Sequence, residues 1–475
     1  MPNQEVLIEI EPWEERAAIR EAGALTEFVL ERPGDMPRVG SVYSGRVASL
    51  LTSVGAALVD LGEGESAFLP LRDPETGEAD QVARGQVLLV QVTKRPLGGK
   101  RAQVTRRVSL AGRYVVLIPK SPCNKVSRRI EDDAERARLE EMLGKLKPAD
   151  CGVVARTASL GREAGLLEAD LRVLLAEWDQ IGRRSAEVSA PACLRQEAPL
   201  RVRALRDMCG PGVERVRVSP AAAGEELKEL ARSRYPDLAQ AVEAEPHGGL
   251  FWRTGIEAEL EQLLERLVYL KGGGSLVFDF TEALTVVDVN SGQPFDEGSP
   301  EEIALRTNLE AAQEIPRQLK LRGIGGIIVV DFIDMPDPGH QKQMMEVLEA
   351  ALKHDRVKTQ VAVLSPLGVV EMTRKRVNET PYHYMTEACP VCGGRGRTLS
   401  PATLGILLAR KAMRILREGG AGPLTARVNP RLGQQLREDS HLLKAMLAER
   451  GGASLSIVDD PALSYEQFRV LASGS

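Results

Sequence analysis

Apolar and polar positions alternate with a period of two along the first thirty residues. Apolar side chains occupy Val6, Ile8 and Ile10, and they return at Leu25 and Phe28 before the turn-prone sequence ERPGDMP. Successive side chains of a β-strand point to opposite faces of a sheet, so this alternation predicts short strands. We expect these strands to form one edge of a sheet.

Short strand-like runs continue from residue 37 to about residue 112, and glycines separate them. Five such runs at close spacing are typical of a small β-barrel. They read SVYSGRVASL, GAALVDLG, SAFLPL, GQVLLVQVTK and AQVTRRVSL.

The apolar period changes from two to about 3.6 residues after residue 130, which predicts a mixed α/β unit. A helix, a strand and a helix follow one another as EDDAERARLEEMLGKL, CGVVART and GREAGLLEADLRVLLAEWDQI. Beyond them we predict a strand at residues 213–218 and helices at 224–231 and 256–271. These elements should complete the sheet that the N-terminal strands begin.

Between residues 275 and 375 strands alternate with helices, which predicts a largely parallel sheet covered by helices. The strands are SLVFDF with LTVVDVN, then GGIIVVDFID, then TQVAVLS, and the helices are EEIALRTNLEAAQEIPRQLKL and GHQKQMMEVLEAALKH. Ligands of such sheets bind at the carboxyl ends of the strands. A further helix, ATLGILLARKAMRILREG, and a small strand-helix-strand region follow. The fold class is therefore multidomain α/β.

The length of 475 residues exceeds what one hydrophobic core supports, so several domains are expected. The hydrophobic share of 43% and the charged share of 27% are ordinary for a folded protein. The N-terminus lacks a signal-peptide pattern, and no apolar run approaches membrane-spanning length, so we predict a cytoplasmic protein without a membrane span. Four of the six cysteines are scattered and are predicted to be ordinary thiols rather than disulfides: Cys123, Cys151, Cys193 and Cys209.

The net charge of −5 argues against a polyanion partner until the distribution of charge is considered. Residues 92–129 contain eleven Lys and Arg residues and no Asp or Glu. This segment predicts a local anion site.

Two acidic strand ends are candidates for chemistry. Asp288 and Asn290 lie two residues apart in LTVVDVNSG, so their side chains share one face of the strand. The apolar run GGIIVV ends at Asp331, and Asp334 follows. Oxygen donors of this kind suit Mg²⁺, which can activate water and stabilise phosphoryl charge. The alternative is that these aspartates cap the next turn or helix.

The segment CPVCGGRG has the form of a zinc knuckle with Cys389 and Cys392. Structural zinc takes four ligands, and the chain has no second CxxC, while His383 is the nearest histidine. The second pair would then come from another subunit, which predicts a symmetric dimer sharing one ion. A redox pair is the alternative, although a thioredoxin-like context is missing.

The barrel offers aromatic and basic side chains that could bind single-stranded nucleic acid: Tyr43, Phe68, Lys94 and Lys100. A barrel phenylalanine can equally belong to the core. Arg156 and Thr157, at the end of the strand CGVVART, could be a surface pair or could hold a terminal phosphate.

Seven segments together resemble the ribonuclease E/G family in order and spacing, from the N-terminus to about residue 400. They are SLAGRYVVLIP, KVSRRI, VVARTASLGREA, TVVDVNSG, TNLEAAQEIPRQLKLRGIGGIIVVDFIDM, HQKQMMEVLEAALKHDR and CPVCGGRG. DVNSG, VVDFIDM and CPVCGGRG on one chain are highly specific. The length, without a long disordered extension, is more similar to the ribonuclease G branch.

The resemblance implies roles for individual residues. Asp288 and Asp331 match the family's magnesium-binding aspartates, and Asn290 matches the asparagine that helps to orient them, which favours the metal site over capping. Cys389 and Cys392 match the pair that shares a zinc ion between subunits. A pocket for a 5′-terminal monophosphate would contain Arg156, Thr157, Val116, Gly112 and Arg128.

RNA-contacting positions of the family match Phe68, Lys94 and Lys100 in the barrel. Leu58 stands where family members can carry a second aromatic residue, which puts base stacking there in doubt. Lys358 stands where an arginine can occur, so the charge is kept and the planar fork is lost.

The family architecture divides the chain into segments. It implies a ribonuclease-H-like subdomain in two parts (1–36 and 209–274), an S1-like OB barrel (37–112), a 5′ sensor (113–208), a DNase-I-like catalytic subdomain (275–385), a zinc link (386–399) and a small C-terminal domain (400–475).

The implied function is a magnesium-dependent endoribonuclease that cleaves single-stranded RNA through a metal-activated water and leaves 5′-phosphate and 3′-hydroxyl ends. Family roles are rRNA processing and mRNA decay, carried out by a homodimer with one shared zinc; whether dimers pair into tetramers stays open. Two alternatives remain: a non-catalytic RNA-binding protein, and a redox-responsive scaffold built on the CxxC pair.

Overall fold

The structure is a computed structural model, and it divides into two compact units, residues 1–384 and 385–475. It describes residues 4–34, 38–62, 64, 66–72, 81–96, 101–121, 124–148, 150–292, 299–353, 355, 357–365, 367–375, 381–387, 389–392, 394, 396–418, 423–438 and 455–472. The described chain is a mixed α/β protein.

The first sheet of unit 1 combines the N-terminal strands with strands from the middle of the chain. Its order is β15-β14-β1-β2-β3, from β1 (Gln4–Ile10), β2 (Glu15–Glu21), β3 (Ala24–Glu31), β14 (Val213–Ser219) and β15 (Val242–Ala244). Val6 and Ile8 of β1 pack on one face with α4 (Ala221–Arg234), and Leu7 packs on the other with α5 (Leu250–Arg253) and α6 (Ile256–Leu264). The predicted completion of the N-terminal sheet is therefore confirmed.

The predicted barrel is confirmed as a closed five-stranded barrel, consistent with an OB fold. Its strands follow the order β4-β5-β6-β8-β7, and a β4–β7 pairing closes it. They are β4 (Val42–Leu51), β5 (Ala56–Asp60), β6 (Ala67–Pro70), β7 (Val87–Lys94) and β8 (Gln103–Thr105), with a 3₁₀ turn at Thr52–Val54. A further strand, β13 (Ala192–Arg195), pairs with the first residues of β4, before the segment that pairs with β5.

The predicted α/β unit after the barrel contains a four-stranded sheet of order β11-β12-β10-β9. The strands are β9 (Leu110–Ala111), β10 (Val115–Pro119), β11 (Asn124–Val126) and β12 (Cys151–Ala155). Helices α1 (Asp133–Leu146) and α2 (Ala164–Glu187) pack on it, and a 3₁₀ turn covers Thr157–Ser159. A short helix, α3 (Leu200–Arg203), continues as a π-helical turn at Ala204–Met208.

The last sheet of unit 1 has six strands in the order β16-β17-β18-β19-β21-β20. They are β16 (Leu267–Tyr269), β17 (Ser275–Phe280), β18 (Leu284–Asn290), β19 (Gly326–Asp331), β20 (Thr359–Val361) and β21 (Val369–Arg374). Helices α7 (Pro300–Leu321) and α8 (Pro338–Lys353) share one apolar core with this sheet.

The prediction of a largely parallel sheet is wrong. Only β18 and β19 pair in parallel, and the other four pairings are antiparallel. Three features account for the difference: β17 and β18 pair as an antiparallel hairpin, residues 267–269 form the edge strand β16 rather than the end of a helix, and β21 inserts between β19 and β20. Short apolar runs do not distinguish strand from helix by periodicity, so tertiary pairing determined the conformation of β16 and β21.

Unit 2 contains a small α/β domain in which two amphipathic helices pack on a sheet. Its three-stranded sheet has the order β23-β22-β24, from β22 (Leu424–Val428), β23 (Leu455–Asp459) and β24 (Phe468–Ala472). Helices α10 (Pro401–Arg417) and α11 (Pro430–Glu438) bury their apolar faces against it. The short helix α9 (Pro381–Met385) precedes this domain in the chain.

Among the described residues, none of the helices combines the length and the apolar character that a bilayer-spanning segment needs.

Candidate functional site

Asp288 and Asp331 lie side by side on the parallel strands β18 and β19. The strand register pairs them directly, so their Cα atoms are separated by about 4.8 Å, the usual spacing of neighbouring strands. Both carboxylates are exposed, whereas their chain neighbours Val287, Val289 and Val330 are buried. The alternation therefore places the two carboxylates on the face opposite the apolar core, which we call the carboxylate face.

Asn290 shares this face, and it holds one oxygen of Asp288. Its side-chain amide donates a hydrogen bond to Asp288 Oδ2 over 2.9 Å. Asp288, Asn290 and Asp331 are all exposed on this face. The arrangement gathers oxygen ligands at adjacent sheet positions.

Two glycines allow the chain to leave the sheet sharply after Asn290. Gly292 has φ +72°, and a Cβ atom there would lie 2.3 Å from the carbonyl oxygen of Gly273. A Cβ atom on Gly274 would lie 2.8 Å from the carbonyl oxygen of Asn290. Only glycine tolerates this conformation and this approach, so the GGG loop after β16 fixes the end of β18.

Asn308, on α7, fixes the chain that follows Asp331. Its side chain is fully buried, and it donates to the carbonyl oxygen of Ile333 over 2.8 Å while it accepts from the N–H of Ile333 over 3.0 Å. These two bonds tie the strand end that carries Asp331 to a long helix. Sequence reasoning missed this role, although the residue lies within the TNLEAA segment.

The start of α8 is capped by Asp337, which accepts from the N–H of Gly339 over 2.7 Å. With Glu301 and His340 it forms a group of possible metal ligands whose ligand atoms lie within 4.8 Å of one another. Glu301 Oε1 accepts from the N–H of Asp337 and lies 3.0 Å from His340 Nδ1, so the group joins the first turns of α7 and α8. Next to it, a cavity of about 230 Å³ opens beside Asp334, between Phe332, Met344 and Leu364.

The residues proposed to bind a terminal phosphate come together at one end of the β11-β12-β10-β9 sheet. Arg156 and Thr157 follow β12, and Arg128 follows the parallel strand β11 two residues beyond its end. The N–H of Arg156 donates to the carbonyl oxygen of Tyr114, and Gly112 accepts a hydrogen bond from Arg156 Nη1. Thr157 Oγ1 lies 3.0 Å from Ser127 Oγ.

We call this group the arginine pocket, and its members are Gly112, Val116, Arg128, Arg156 and Thr157. Arg128 is exposed, and Arg156, Thr157 and Val116 are half-buried. Gly112 must be glycine, because a Cβ atom there would lie 2.3 Å from Asp170 Oδ2. Burial raises the pKa of Asp170, although the N–H groups of Tyr114 and Val115, which donate to it, oppose the shift.

The guanidinium of Arg156 is already paired with an acidic residue that sequence reasoning missed. Its Nη2 atom lies 2.8 Å from Oδ1 of Asp207, in the π-helical turn. Arg206 also binds Asp207 through two hydrogen bonds, of 3.0 Å and 2.8 Å. Burial tends to raise the pKa of Asp207, but the hydrogen bonds and charge of Arg206, with the charge of Arg156, lower it overall. Asp207 is therefore an anion at neutral pH.

A second ion-pair cluster, deeper in unit 1, centres on Asp237. Arg113, which is 1% exposed, lies 2.9 Å from Asp237 Oδ2 and donates to the carbonyl oxygens of Leu205 and Cys209. The hydroxyl of Tyr114 donates to the same carboxylate, and Arg162 lies 3.0 Å from it. This cluster joins the strand end near the arginine pocket to residues 205–237.

The barrel places its candidate contact residues along one line. The register pairs Leu58 with Phe68, Phe68 with Gln103, and Gln103 with Lys94. Phe68 is half-buried between the core residues Ala67 and Leu69 and lies outside the barrel core, and Lys94 is exposed. Tyr43 is fully buried in that core, and Lys100 falls outside the described residues.

Lys358 is not brought to the carboxylates. It is exposed, and it immediately precedes β20, at the Gly326 end of β19. Asp331 lies at the other end of that strand, five residues away, which corresponds to roughly 16 Å.

Cys389 and Cys392 lie in unit 2. Cys389 is exposed and Cys392 is half-buried. The N–H groups of Cys392 and Val391, with the side chain of Cys392, lower the pKa of Cys389. This stabilises a thiolate, the form in which cysteine binds a metal. The side chain of His383 and the thiol of Cys123 fall outside the described residues; Cys151, Cys193 and Cys209 take part in no disulfide among the described residues, as predicted.

Comparisons with known proteins show the family to which the chain belongs. The Ribonuclease E/G family matches residues 109–377, more than half of the chain. Ribonuclease G of Salmonella typhimurium (strain SL1344) and of Escherichia coli (strain K12) are each 35% identical, over 98% of this chain and 99% of the relative. Ribonuclease E of Haemophilus influenzae is 36% identical over 83% of this chain and 44% of its own length.

Proposed function

Because the chain belongs to the ribonuclease E/G family and is an endoribonuclease, we propose that it cleaves single-stranded RNA at the carboxylate face with magnesium bound by Asp288 and Asp331. The observation that carries this proposal is the direct pairing of two exposed carboxylates on parallel strands, with Asn290 bonded to one of them. The products would carry 5′-phosphate and 3′-hydroxyl ends.

The residues present fit a magnesium ion. Magnesium prefers oxygen ligands and is commonly held by one or two carboxylates, with water and substrate phosphate completing its shell. Asp288 and Asp331 supply carboxylates on one exposed face, which leaves room for water and for a phosphate. When bound, the ion would lower the pKa of a coordinated water and neutralise charge on the phosphate.

The chain's own residues have separable tasks in this proposal. Asp288 and Asp331 bind the metal, and Asn290 keeps Asp288 in one orientation by occupying its Oδ2 atom. Asn308 keeps the end of β19 in place through Ile333. Leaving groups and attacking water need to lie in line with phosphorus, which favours a strand without a paired partner.

The barrel supports a single-stranded RNA substrate. Phe68 offers an aromatic side chain at the barrel surface, and Lys94 offers a cation on the same line of residues. Stacking on an aromatic ring beside a basic groove is the usual way in which such barrels bind single strands. We propose that this barrel has the S1-like role, with one aromatic contact because Leu58 occupies the neighbouring position.

The arginine pocket is proposed to be a sensor of 5′-monophosphate. Arg156 and Thr157 offer guanidinium and hydroxyl donors, and Arg128 adds an exposed charge nearby. Arg156→Ala should reduce kcat/KM on 5′-phosphorylated RNA and leave that on 5′-hydroxyl RNA little changed. Equal losses on both RNAs would contradict a sensor.

Cys389 and Cys392 are proposed to bind a structural zinc that a second subunit completes. Two thiolates fill half of a tetrahedral site, and the lowered pKa of Cys389 fits a metal-binding thiolate. Metal analysis should find about one zinc per two chains. Cys389→Ser with Cys392→Ser should lose the zinc and shift the sedimentation coefficient from dimer toward monomer.

The finer architecture remains our proposal: a two-part ribonuclease-H-like subdomain, a 5′ sensor, a DNase-I-like catalytic subdomain, a zinc link and a small C-terminal domain. Roles in rRNA processing and mRNA decay, and a cytoplasmic location, belong to the same proposal.

The decisive experiment compares wild type with the double variant Asp288→Asn, Asp331→Asn on a 5′-monophosphorylated single-stranded RNA, with magnesium or with a chelator. We expect wild type to cleave only with magnesium, and the double variant to bind the RNA without cleaving it. Mass analysis should find 3′-hydroxyl ends, and a 2′,3′-cyclic phosphate would exclude the proposed chemistry.

The same experiment separates the alternative functions. If wild type binds RNA but does not cleave it under any metal condition, a non-catalytic RNA-binding protein becomes the better interpretation. If the double variant cleaves as fast as wild type, the carboxylates are assigned wrongly. Metal-free protein that cycles between dithiol and disulfide would support a redox role for the CxxC pair.

A further inference from the structure

We infer that Asp207 is an internal competitor for the terminal phosphate: it holds the guanidinium of Arg156 until a 5′-monophosphate takes its place. The inference rests on the proposed sensor role of the arginine pocket. It starts from the contact of 2.8 Å between Arg156 Nη2 and Asp207 Oδ1.

The contact between Arg156 and Asp207 can be reached from solvent, so a phosphate can replace the carboxylate. The side chains of Arg156 and Asp207 are 25% and 32% exposed, so a phosphate can approach the guanidinium without the core opening. Arg156 has a second anchor, because its Nη1 atom donates to the carbonyl oxygen of Gly112. The guanidinium can therefore change its anionic partner while it stays in the pocket.

When Arg156 is released, the carboxylate of Asp207 keeps a positively charged partner. Arg206 binds both oxygens of Asp207, at 3.0 Å and 2.8 Å. Arg206 is itself held by Glu197 over 3.0 Å and by the carbonyl oxygen of Ala111 over 3.1 Å. A buried charge that loses its only partner is costly, and this arrangement avoids that cost when the phosphate arrives.

The charge on Asp207 also opposes the incoming phosphate directly. A terminal monophosphate carries nearly two negative charges at neutral pH, whereas a phosphodiester carries one. The phosphate must outcompete Asp207 for Arg156 and approach an anion while it does so. Asp207 therefore weakens binding of the terminal phosphate and sets the threshold at which the sensor responds.

If Asp207 had only a structural role, its removal would change the response to a 5′-phosphate in the opposite direction. If Asp207 only oriented Arg156, its loss would disorder the pocket and would weaken the response to a 5′-phosphate. If it competes, removal of its charge strengthens that response. Asp207→Asn removes the charge and keeps a side-chain oxygen that can accept from Arg156, so this variant separates the two roles.

The test measures kcat and KM on one RNA sequence with a 5′-monophosphate or a 5′-hydroxyl, for wild type, Asp207→Asn, Arg156→Ala and Glu243→Gln. Glu243 is the matched control, because it pairs with Arg215 at 2.6 Å on the edge strand β15 of another sheet, and the substitution changes net charge equally. We expect Asp207→Asn to raise the 5′-phosphate to 5′-hydroxyl ratio of kcat/KM by roughly threefold or more, through KM.

Two results would overturn the inference. A ratio that is unchanged or lower in Asp207→Asn would show that Asp207 orients Arg156 rather than competing with phosphate. An equal rise in Glu243→Gln would assign the effect to net charge. Failure of the sensor proposal itself is distinguishable, because Arg156→Ala would then affect both RNAs equally. Equilibrium binding of a 5′-phosphorylated dinucleotide tests the competition independently of turnover, and thermal unfolding shows that each variant is folded.

Discussion

The carboxylate face and the arginine pocket hold their charged groups in opposite ways. Asp288 and Asp331 are exposed neighbours of like charge, and Asn290 is the side chain bonded to Asp288. Arg156 in the pocket is bound to a carboxylate and a carbonyl oxygen, and the partners of that carboxylate are bound in turn. The carboxylate face leaves its charges available to a ligand, whereas the arginine pocket pairs its charges within the protein before a ligand binds.

This difference indicates what each region does. Like charges placed directly opposite each other destabilise a sheet, and such a pair persists where a bound cation or a substrate offsets the repulsion. A pocket whose charges are neutralised internally stabilises the fold and binds a ligand only by exchange. The carboxylate face should therefore be important for catalysis and unimportant for stability, and the ion-pair clusters near the pocket should show the reverse.

The largest expected effect is on the carboxylate face. Asp331→Asn should lower kcat by roughly 10³-fold or more, because a metal ligand and its charge are lost. The same variant should unfold at equal or higher denaturant concentration, since the repulsion from Asp288 is relieved by up to about 1 kcal/mol. Cleavage assays and chemical unfolding on the same preparation measure both quantities.

Asp279→Asn is the control for this prediction, because Asp279 is exposed on the same face and pairs with Arg266 at 2.6 Å. It should cleave RNA at the wild-type rate. A marked loss of stability in Asp331→Asn would contradict the proposed contrast.

The second effect is on stability near the arginine pocket. Asp237→Asn leaves the buried guanidinium of Arg113 without its carboxylate, which should cost about 3 kcal/mol in the free energy of unfolding. Protein that remains folded should still cleave 5′-hydroxyl RNA. Unfolding curves that match wild type would show that the cluster does not stabilise the fold.

Asn308→Ala should affect both stability and catalysis. It removes both bonds to Ile333 and leaves the N–H and carbonyl of this half-buried residue without their side-chain partner, at a cost of about 2 kcal/mol. Because Asp331 lies two residues before Ile333, kcat should fall as well, while KM stays near its wild-type value. A stability loss without any change in kcat would remove Asn308 from the positioning of the site.

The smallest effect is a dependence on pH. Burial tends to raise the pKa of Asp237, but hydrogen bonds from Arg113 and Tyr114 and nearby positive charge lower it overall. A lowered pKa contributes stability that is present above the unfolded value, about 4, and is lost as pH falls through the folded value. The difference in unfolding free energy between wild type and Asp237→Asn should be constant from about pH 5 to 8 and should shrink below about pH 4.

The carboxylate face could be predicted in part from local pattern, because Asp288 and Asn290 share a face through the period of a strand and Asp331 ends an apolar run. The preference for a metal site over capping came from the family resemblance, and the direct pairing of Asp288 with Asp331 depends on the register of β18 and β19. Strands β16 and β21 could not be predicted from the sequence, because three to six residues with mixed polarity carry too little periodicity. Their pairing in the folded sheet determines their conformation.

All five members of the arginine pocket were predicted through the family resemblance, but the acidic partner of Arg156 was not. Arg156 and Thr157 follow a recognisable strand, but Asp207 lies 51 positions later, in a short irregular turn without a pattern of its own. Asn308 was hidden for another reason: a buried asparagine in a helix looks like any polar position until its partner is known. Contacts between distant segments are what the sequence pattern does not contain.

The composite first sheet also constrains how the polypeptide acquires its structure during synthesis. Strand β1 lies between β2 and β14, so one of its edges waits for residues 213–219 to be translated. The five barrel strands end at Thr105 and can pair with one another long before that point. The barrel strands therefore leave the ribosome while the N-terminal hairpin still has an unpaired edge, and an unpaired strand edge is prone to pair with another chain and aggregate.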